Sequence, residues 1–269
     1  MVYKDANIGS AKPPKNVLEK YPHFLVNNKN LTEIYSVAEF CNDSFKLIEE
    51  IHSRNKIPFF VGGSMMYFKS LLDGINDMPV RDDLYREKLL EENLKKPGYL
   101  FNLLLESDPE YAKKIKPNDE KRILRALEVA NSSGKTMTEN LNESSKKSLK
   151  NKYDILQMGI YEEDRTILHK RIKDRLEVMF NEGLIEEVES IKKNYCIESS
   201  HPILSAVNYK QVFDYLDNHI NKDELFNKAL FASRQLAKRQ ITWIRSWEDL
   251  NLFKINSDEE IKESIKNFL

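Results

Sequence analysis

The sequence has few cysteines and no long apolar run. Among 269 residues there are only two cysteines, Cys41 and Cys196, and they form no cluster of possible metal ligands. Two isolated cysteines are typical of a protein in a reducing compartment. No apolar stretch approaches the roughly 20 residues that cross a bilayer. Residues 1–5 lack the apolar segment and the cleavage site of a signal peptide. These absences predict a cytoplasmic protein that does not contact membrane.

A complete phosphate-binding loop is also missing from the sequence. Gly134-Lys135-Thr136 matches the end of the pattern G-x-x-x-x-G-K-[ST], but Val129 stands where the first glycine is required. The pattern also needs a preceding strand, and none is predicted there. A nucleotide kinase that uses Val61-Gly62-Gly63 is a further possible function, and the missing loop counts against it.

Charge is balanced overall and uneven locally. The formal net charge is −1, so no overall field draws the protein to nucleic acid. Between Glu224 and Glu248 there is no acidic residue, whereas five basic residues occur there: Lys228, Arg234, Lys238, Arg239 and Arg245. This local excess predicts an anionic partner. The alternative is a solvated basic helix whose Trp243 packs in the core.

Residues 36–74 predict part of a parallel α/β sheet. Ser36 and Glu39 fit a capping box, and apolar residues follow at helical spacing as far as residue 54. Residues 57–61 form an apolar run of strand length. A glycine pair follows, and then a second helical pattern that ends at Gly74. Helix, buried strand, glycine turn and helix is the order typical of parallel sheets.

The middle of the chain has a different character. Residues 80–152 are polar, have helical periodicity and contain no convincing strand. We predict an all-helical domain there, inserted into an α/β core formed by residues 1–79 and 153–269. In the second part of the core, the pattern predicts a strand at 153–160, helix at 164–195 with a break at Gly183, a long helix at 223–247, and a last strand and helix at 252–269.

Two groups of residues are candidates for binding an anion. Gly62, Gly63 and Ser64 follow the predicted strand, where the backbone can approach a ligand and the next helix offers free N–H groups. The alternative for Ser64 is an ordinary helix cap. Arg171 and Arg175 lie one turn apart beside an apolar stripe and could hold a phosphate. The alternative there is a structural salt bridge to a core carboxylate.

Four segments, in this order, match the motifs of one enzyme family. Residues 3–13 read YKDANIGSAKP and are similar to Y-K-G-x-D-I-G-T-A-K-P. Residues 61–67 read VGGSMMY and are similar to V-G-G-T-x-x-Y. Residues 118–129 fit N-D-x-x-R-x-x-R-A-L-E-V, and residues 235–243 read QLAKRQITW. Together they cover nearly the whole chain, which resembles the tRNA dimethylallyltransferases of bacterial type.

The resemblance implies a fold, an activity and partners. The fold is a P-loop NTPase-like core with a parallel sheet and an inserted helical domain. The activity is transfer of a dimethylallyl group from dimethylallyl diphosphate to N6 of adenine 37 in tRNAs that read codons beginning with U, giving N6-(dimethylallyl)adenosine. The implied cofactor is Mg²⁺, and the implied RNA partner is the anticodon stem-loop. We expect a monomer.

Matching positions also imply roles for single residues. Ser64 and Arg175 are expected to act in catalysis, Ser64 in place of the family's threonine, with Gly62, Gly63 and Arg171 at the diphosphate. The residues that match tRNA-contacting positions of the family are Arg86, Lys121, Arg122, Ile123, Leu124, Arg125, Ser205, Ala206, Val207, Asn208, Tyr209, Lys210, Lys238, Arg239, Gln240, Ile241, Thr242, Trp243, Ile244 and Arg245.

The sequence departs from the family at two places. Asn208 stands where the family has a glycine before Tyr209. The family's first strands, its phosphate loop and its general-base aspartate would all precede Met1, and no residue here takes those roles by position. The sequence as printed is therefore expected to lack catalytic activity by itself. The alternative function is that of a tRNA-binding remnant without transferase activity.

Overall fold

The computed structural model describes residues 1–76, 78–143 and 147–269. In chain order its elements are α1 (Lys15–Lys20), α2 (Val37–Ser53), α3 (Met65–Asp73), α4 (Asp83–Lys95), α5 (Tyr99–Ser107), α6 (Pro109–Ala112), α7 (Glu120–Ser133), α8 (Met137–Asn142), β1 (Met158–Tyr161), α9 (Arg165–Asn181), α10 (Leu184–Asn194), a 3-10 turn (Pro202–Ser205), α11 (Tyr209–Leu216), α12 (Lys222–Arg245), β2 (Asn251–Lys254) and α13 (Asp258–Phe268). None of the helices in the described ranges has both the length and the apolar character needed to cross a membrane.

The chain divides into two compact units. The first unit contains residues 1–68 and 154–269, and the second contains residues 69–153. The predicted division into 1–79 with 153–269 and 80–152 stays a prediction. Residues 77 and 144–146, which those ranges include, lie outside the described residues.

Two helix boundaries of the first unit lie where the sequence predicts, whereas α1 and α11 are not predicted. The side chain of Ser36 accepts a hydrogen bond from the Glu39 amide, and Glu39 returns one to Ser36, which confirms the capping box of α2. Gly183, at φ +97°, separates α9 from α10 and confirms the predicted break. Leucine and methionine side chains of α9 then pack with α10, α11 and the first half of α12 around one apolar core.

The sheet is small and parallel. β1 pairs with β2 in the register Met158–Asn251 to Tyr161–Lys254, and α13 follows β2, as predicted for the end of the chain. Gly159 allows β1 to lie close to the side chain of Leu250, the residue before β2. A Cβ on this glycine would lie 2.8 Å from a Leu250 methyl group. The predicted strand at 153–160 is shorter than expected and begins only at Met158.

The predicted strand at 57–61 is wrong for the structure as described. These residues form no regular secondary structure and pair with no strand in the described ranges. Ile57, Phe59 and Val61 are 61%, 70% and 80% exposed, respectively. An apolar pattern predicts buried side chains, but it does not show whether a neighbouring strand is present for the backbone to bond.

The second unit is helical throughout its described part. α4 to α8 enclose an apolar core that includes Leu104, Ile123 and Val129. The segment that resembles a phosphate loop has a structural role here. Gly134, at φ +70°, ends α7, and Thr136 caps α8 in a capping box with Glu139.

A buried carboxylate fixes where α4 begins. Glu128 of α7 is fully buried and accepts hydrogen bonds from Arg86 Nε and Nη2 at 2.9 and 3.0 Å, and from Arg125 Nη1 at 2.7 Å. It also accepts one from the Asp82 amide at 2.6 Å. Arg125 in turn donates to the Pro79 carbonyl at 2.9 Å. These bonds tie residues 79–86 to α7.

We predict that Glu128→Gln destabilises the second unit. The variant leaves two guanidinium groups without their anion, and removing one partner of such a buried pair costs on the order of 3 kcal/mol. Urea unfolding and amide exchange in α7 measure the loss. The control is Glu106→Gln, an exposed carboxylate on α5, which should change little. Equal stability of the two variants would contradict the prediction.

The same interaction predicts a pH dependence. Burial opposes ionisation of Glu128, but the hydrogen bonds from Arg86, Arg125 and the Asp82 amide outweigh it and lower the pKa of this carboxyl below its ordinary 4.5. The stabilisation is therefore complete above pH 4.5 and is lost as the pH falls through the lowered pKa. Acid unfolding of wild type and Glu128→Gln should converge at low pH.

Candidate functional site

Ser64 lies in an exposed turn at the start of α3. Its carbonyl accepts from the Tyr67 amide at 2.9 Å, so the residue begins the helix as the sequence predicts. Its hydroxyl has no hydrogen-bond partner among the described residues, and it makes no capping bond. Tyr67 stacks on Phe40 of α2 with ring centroids 4.7 Å apart. The turn therefore presents a free hydroxyl from an anchored helix start.

The glycine pair before Ser64 contacts α12. Gln240 Nε2 donates to the Gly63 carbonyl at 3.0 Å. A Cβ on Gly63 would lie 2.4 Å from that nitrogen, whereas one on Gly62 would meet only the Phe68 ring, at 3.6 Å. The close approach that the glycine pair predicts is therefore observed at Gly63, and its partner is a side chain of the basic helix.

Arg171 and Arg175 are exposed on α9. Within the described ranges neither forms an ion pair or a hydrogen bond, so the alternative of a salt bridge to a core carboxylate is not observed. α9 and α12 are held together by the core and by the contact of Phe180 with Phe226, whose ring centroids are 5.6 Å apart. Two unpaired guanidinium groups on one helix can bind an anion.

Residues 205–210 are largely structural. Tyr209 is 1% exposed and Asn208 is 8% exposed, so neither side chain offers surface to an RNA. Ala206 and Val207 are half-buried, and Lys210 is exposed but paired with Asp214 at 2.8 Å. Ser205 and Lys210 are thus the exposed side chains of this segment, and RNA contact at residues 205–210 stays a prediction.

One carboxylate binds the loop near the N-terminus to this segment. Glu187 of α10 accepts from the amides of Asn7, Ile8 and Gly9 at 3.0, 2.8 and 3.2 Å. It also accepts from the Tyr209 hydroxyl at 2.8 Å. Burial and this carboxylate raise the pKa of Tyr209, so the phenol keeps its proton and remains a donor.

Asn208 takes the backbone conformation that the family's glycine would take. Its φ is +74°, and both the nitrogen and the oxygen of its side-chain amide form hydrogen bonds. Nδ2 donates to the Gly9 carbonyl at 3.2 Å, and Oδ1 accepts from Ser233 of α12 at 3.2 Å. Asparagine therefore accommodates the positive φ at this position.

We predict an order of stability at this position. Asn208→Ala should lower the free energy of unfolding by about 2 kcal/mol, from backbone strain and lost hydrogen bonds together. Asn208→Gly should cost about half of that, because glycine removes the bonds without the strain. Urea unfolding measures both. An equal loss in the two variants would mean that the positive φ costs nothing here.

The predicted tRNA-contacting residues of the second unit differ in exposure. Ile123 and Leu124 are 1% and 6% exposed and belong to the core of this unit, and RNA contact at these two positions stays a prediction. Arg86 and Arg125 are engaged by Glu128, as described above. Lys121 and Arg122 are exposed on α7, with Arg122 3.5 Å from Asp119.

The C-terminal half of α12 carries three exposed basic side chains. Lys238, Arg239 and Arg245 are exposed and form no ion pair with any described residue. Trp243 is 40% exposed, so it does not pack in the core as the alternative reading required. Among the other predicted RNA-contacting residues of this half, Ile244 is buried, Ile241 is half-buried, and the Thr242 hydroxyl donates to the Lys238 carbonyl.

Comparisons with known proteins decide the family. The family model described as IPP transferase matches residues 1–247. This chain belongs to the IPP transferase family. The tRNA dimethylallyltransferase of Thiobacillus denitrificans is 39% identical over 92% of this chain and 78% of that protein.

Solved structures agree with the IPP transferase family. The tRNA isopentenylpyrophosphate transferase of Bacillus halodurans is 31% identical, with a TM-score of 0.67 over 99% of this chain and 83% of that one. A eukaryotic dimethylallyltransferase acting on tRNA is 27% identical, with a TM-score of 0.78 over 99% of this chain and 71% of that one. The predicted family and fold class are confirmed. The roles of single residues stay predictions.

Proposed function

We propose that this IPP transferase transfers a dimethylallyl group from dimethylallyl diphosphate to N6 of adenine 37 in tRNAs that read codons beginning with U. The observation that carries the proposal is the contact between Gly63 and Gln240. It joins the turn that bears the free Ser64 hydroxyl to the helix that bears the open cations. A hydroxyl for the reacting group and a cationic surface for the RNA thus meet in one unit.

The arginines of α9 are suited to the leaving group. Diphosphate departs as its bond to carbon breaks, and the developing charge needs neutralisation. Arg171 and Arg175 are exposed cations with no described ion-pair partner, so binding diphosphate breaks no existing pair. Ser64 can donate its hydroxyl to the leaving oxygen. The amine of adenine 37 would be the nucleophile, reached after the base is flipped out of the anticodon loop.

The cations of α12 support an RNA surface in the first unit. Lys238, Arg239 and Arg245 can contact phosphates, and the partly exposed Trp243 can stack on a base. The second unit, taken by itself, has Lys121 and Arg122 exposed on α7. We propose the anticodon stem-loop as the RNA bound, by a cytoplasmic monomer.

Magnesium stays an expectation from the resemblance. The described residues include no group of three or more His, Cys, Asp or Glu side chains that could hold a metal ion. The roles proposed above for Ser64, Arg171 and Arg175 do not depend on a metal ion.

The alternative, a tRNA-binding remnant without transferase activity, is not favoured. The relatives reported above are named as transferases, and Ser64, Arg171 and Arg175 keep groups suited to the reaction unpaired. A protein that only held RNA would have no use for a free hydroxyl beside the glycine turn.

A transfer assay tests the proposal. The gene product that carries this sequence is incubated with labelled dimethylallyl diphosphate and a tRNA that has adenine at position 37. We expect label on N6 of that adenine and none on a tRNA with guanine at this position. Label on neither RNA, or on both, would overturn the proposal.

The cations of α12 predict the salt dependence of binding. Replacing Lys238, Arg239 and Arg245 together by alanine should weaken tRNA binding and lower the slope of log affinity against log salt by about 2 to 3, close to 1 for each lost phosphate contact. Filter binding at several salt concentrations measures both quantities. The control is Lys228→Ala, since Lys228 on the same helix is paired with Glu224 at 3.4 Å. An unchanged slope in the triple variant would mean that these residues form a solvated helix face that does not contact RNA phosphates.

A further inference from the structure

We infer that Gln240 is a positioning residue for the Gly62–Ser64 turn rather than a residue that contacts tRNA. The resemblance places it among tRNA-contacting residues, between the cations of α12. In the structure its amide is already engaged, because Nε2 donates to the Gly63 carbonyl at 3.0 Å. The catalytic part of this inference depends on the proposed function, because it assumes that Ser64 acts in transfer.

The turn has few other attachments. Residues 57–61, which lead into it, form no backbone hydrogen bond within the described part of the chain, and three of their side chains are more than 60% exposed. On the other side, the Tyr67 amide bonds to the Ser64 carbonyl, and Tyr67 attaches α3 to the first unit through its stack on Phe40 and a hydrogen bond from its hydroxyl to the Tyr35 carbonyl at 3.4 Å. The bond from Gln240 is therefore the hydrogen bond that attaches the glycine pair to another element.

Gly63 is matched to this contact. An added Cβ would lie 2.4 Å from Gln240 Nε2, closer than real Cβ contacts allow. Gly62 has no such restriction, since its nearest neighbour is a ring atom at 3.6 Å. Neither glycine has a positive φ. A Cβ at residue 63 would therefore displace the Gln240 amide, whereas the backbone conformation of Gly63 does not itself call for glycine.

The opposite end of the contact is also held in place. Gln240 belongs to a helix whose last turn is followed by Trp247, and Trp247 Nε1 donates to Gln157 Oε1 at 2.8 Å, just before β1. Ser233, earlier on the same helix, bonds to the buried Asn208. The amide of Gln240 therefore extends from a helix fixed on both sides, as a positioning group requires.

Amide exchange and tRNA affinity, measured on the same variants, test the inference. Gln240→Met keeps the length of the side chain and removes the donor. Exchange at Tyr67 and Phe68, whose amides bond to the Ser64 carbonyl, should accelerate about fivefold, the effect of losing one ordinary hydrogen bond. Affinity for tRNA should stay within about twofold of wild type, because no phosphate contact is lost.

Arg239→Ala is the matched control on the neighbouring residue. It should weaken tRNA binding and leave exchange at Tyr67 and Phe68 unchanged. Unchanged exchange in Gln240→Met would overturn the inference, and so would a loss of affinity equal to that of Arg239→Ala. The exchange measurement does not depend on the proposed function. If the wild type failed to bind tRNA, the proposed function would be contradicted, and the exchange rates would still test the inference about Gln240.

A second pair of variants checks the role of Gly63. Gly63→Ala should accelerate the same amides in the wild-type background by displacing Gln240. In a Gln240→Ala background it should add little, because the clash has been removed. If the two substitutions changed the exchange rates additively, the inference that Gly63 makes room for the Gln240 amide would be overturned.

Kinetics then separate positioning from binding. In the transfer assay, Gln240→Met should lower kcat and leave KM for tRNA unchanged, because Ser64 is less well placed while the RNA surface is intact. A raised KM with unchanged kcat would instead assign Gln240 to the RNA.

Discussion

The first unit depends on the carboxylate of Glu187. This one group accepts three consecutive backbone amides of the loop at residues 7–9 and the hydroxyl of Tyr209. Backbone amides in a non-repeating loop have no ladder partners, and leaving them unbonded beside a core is costly. Since α10 supplies the acceptor and Tyr209 fills the space beside Gly9, the loop, α10 and α11 can only be arranged together. Asn208 extends the same arrangement to α12, which carries the proposed RNA surface.

The second unit is also organised around one glutamate, but most of its partners there are positively charged. There a buried glutamate, Glu128, is surrounded by two guanidinium groups and one amide, and it fixes the segment that enters α4. Arg86 and Arg125 therefore serve the fold first, and whatever they offer to RNA is what Glu128 leaves free. In each unit a single acidic side chain orders an irregular segment that apolar packing alone would leave undetermined.

Periodicity and capping signals predicted most helices, because each depends on residues close in sequence. Ser36 with Glu39, and Gly183, marked helix boundaries that the structure confirms. The strand at 57–61 could not be judged in this way, because a strand needs a neighbour that local sequence does not describe. Glu128 could have been found from its place between Leu127 and Val129, since a carboxylate inside an apolar helical run requires a cation. No local signal indicated that Gln240 bonds Gly63, because the two residues are 177 positions apart.

The exposed segment at residues 57–61 has a consequence for handling the protein. Proteases bind a substrate segment whose backbone hydrogen bonds are not already made, and residues 57–61 form none within the described part of the chain. Ile57, Phe59 and Val61 also offer the large, exposed apolar side chains that many proteases select. The same features make the segment a template for pairing with another chain. The first cut in limited proteolysis, and the first contact in aggregation, are therefore expected directly before the turn that carries Ser64.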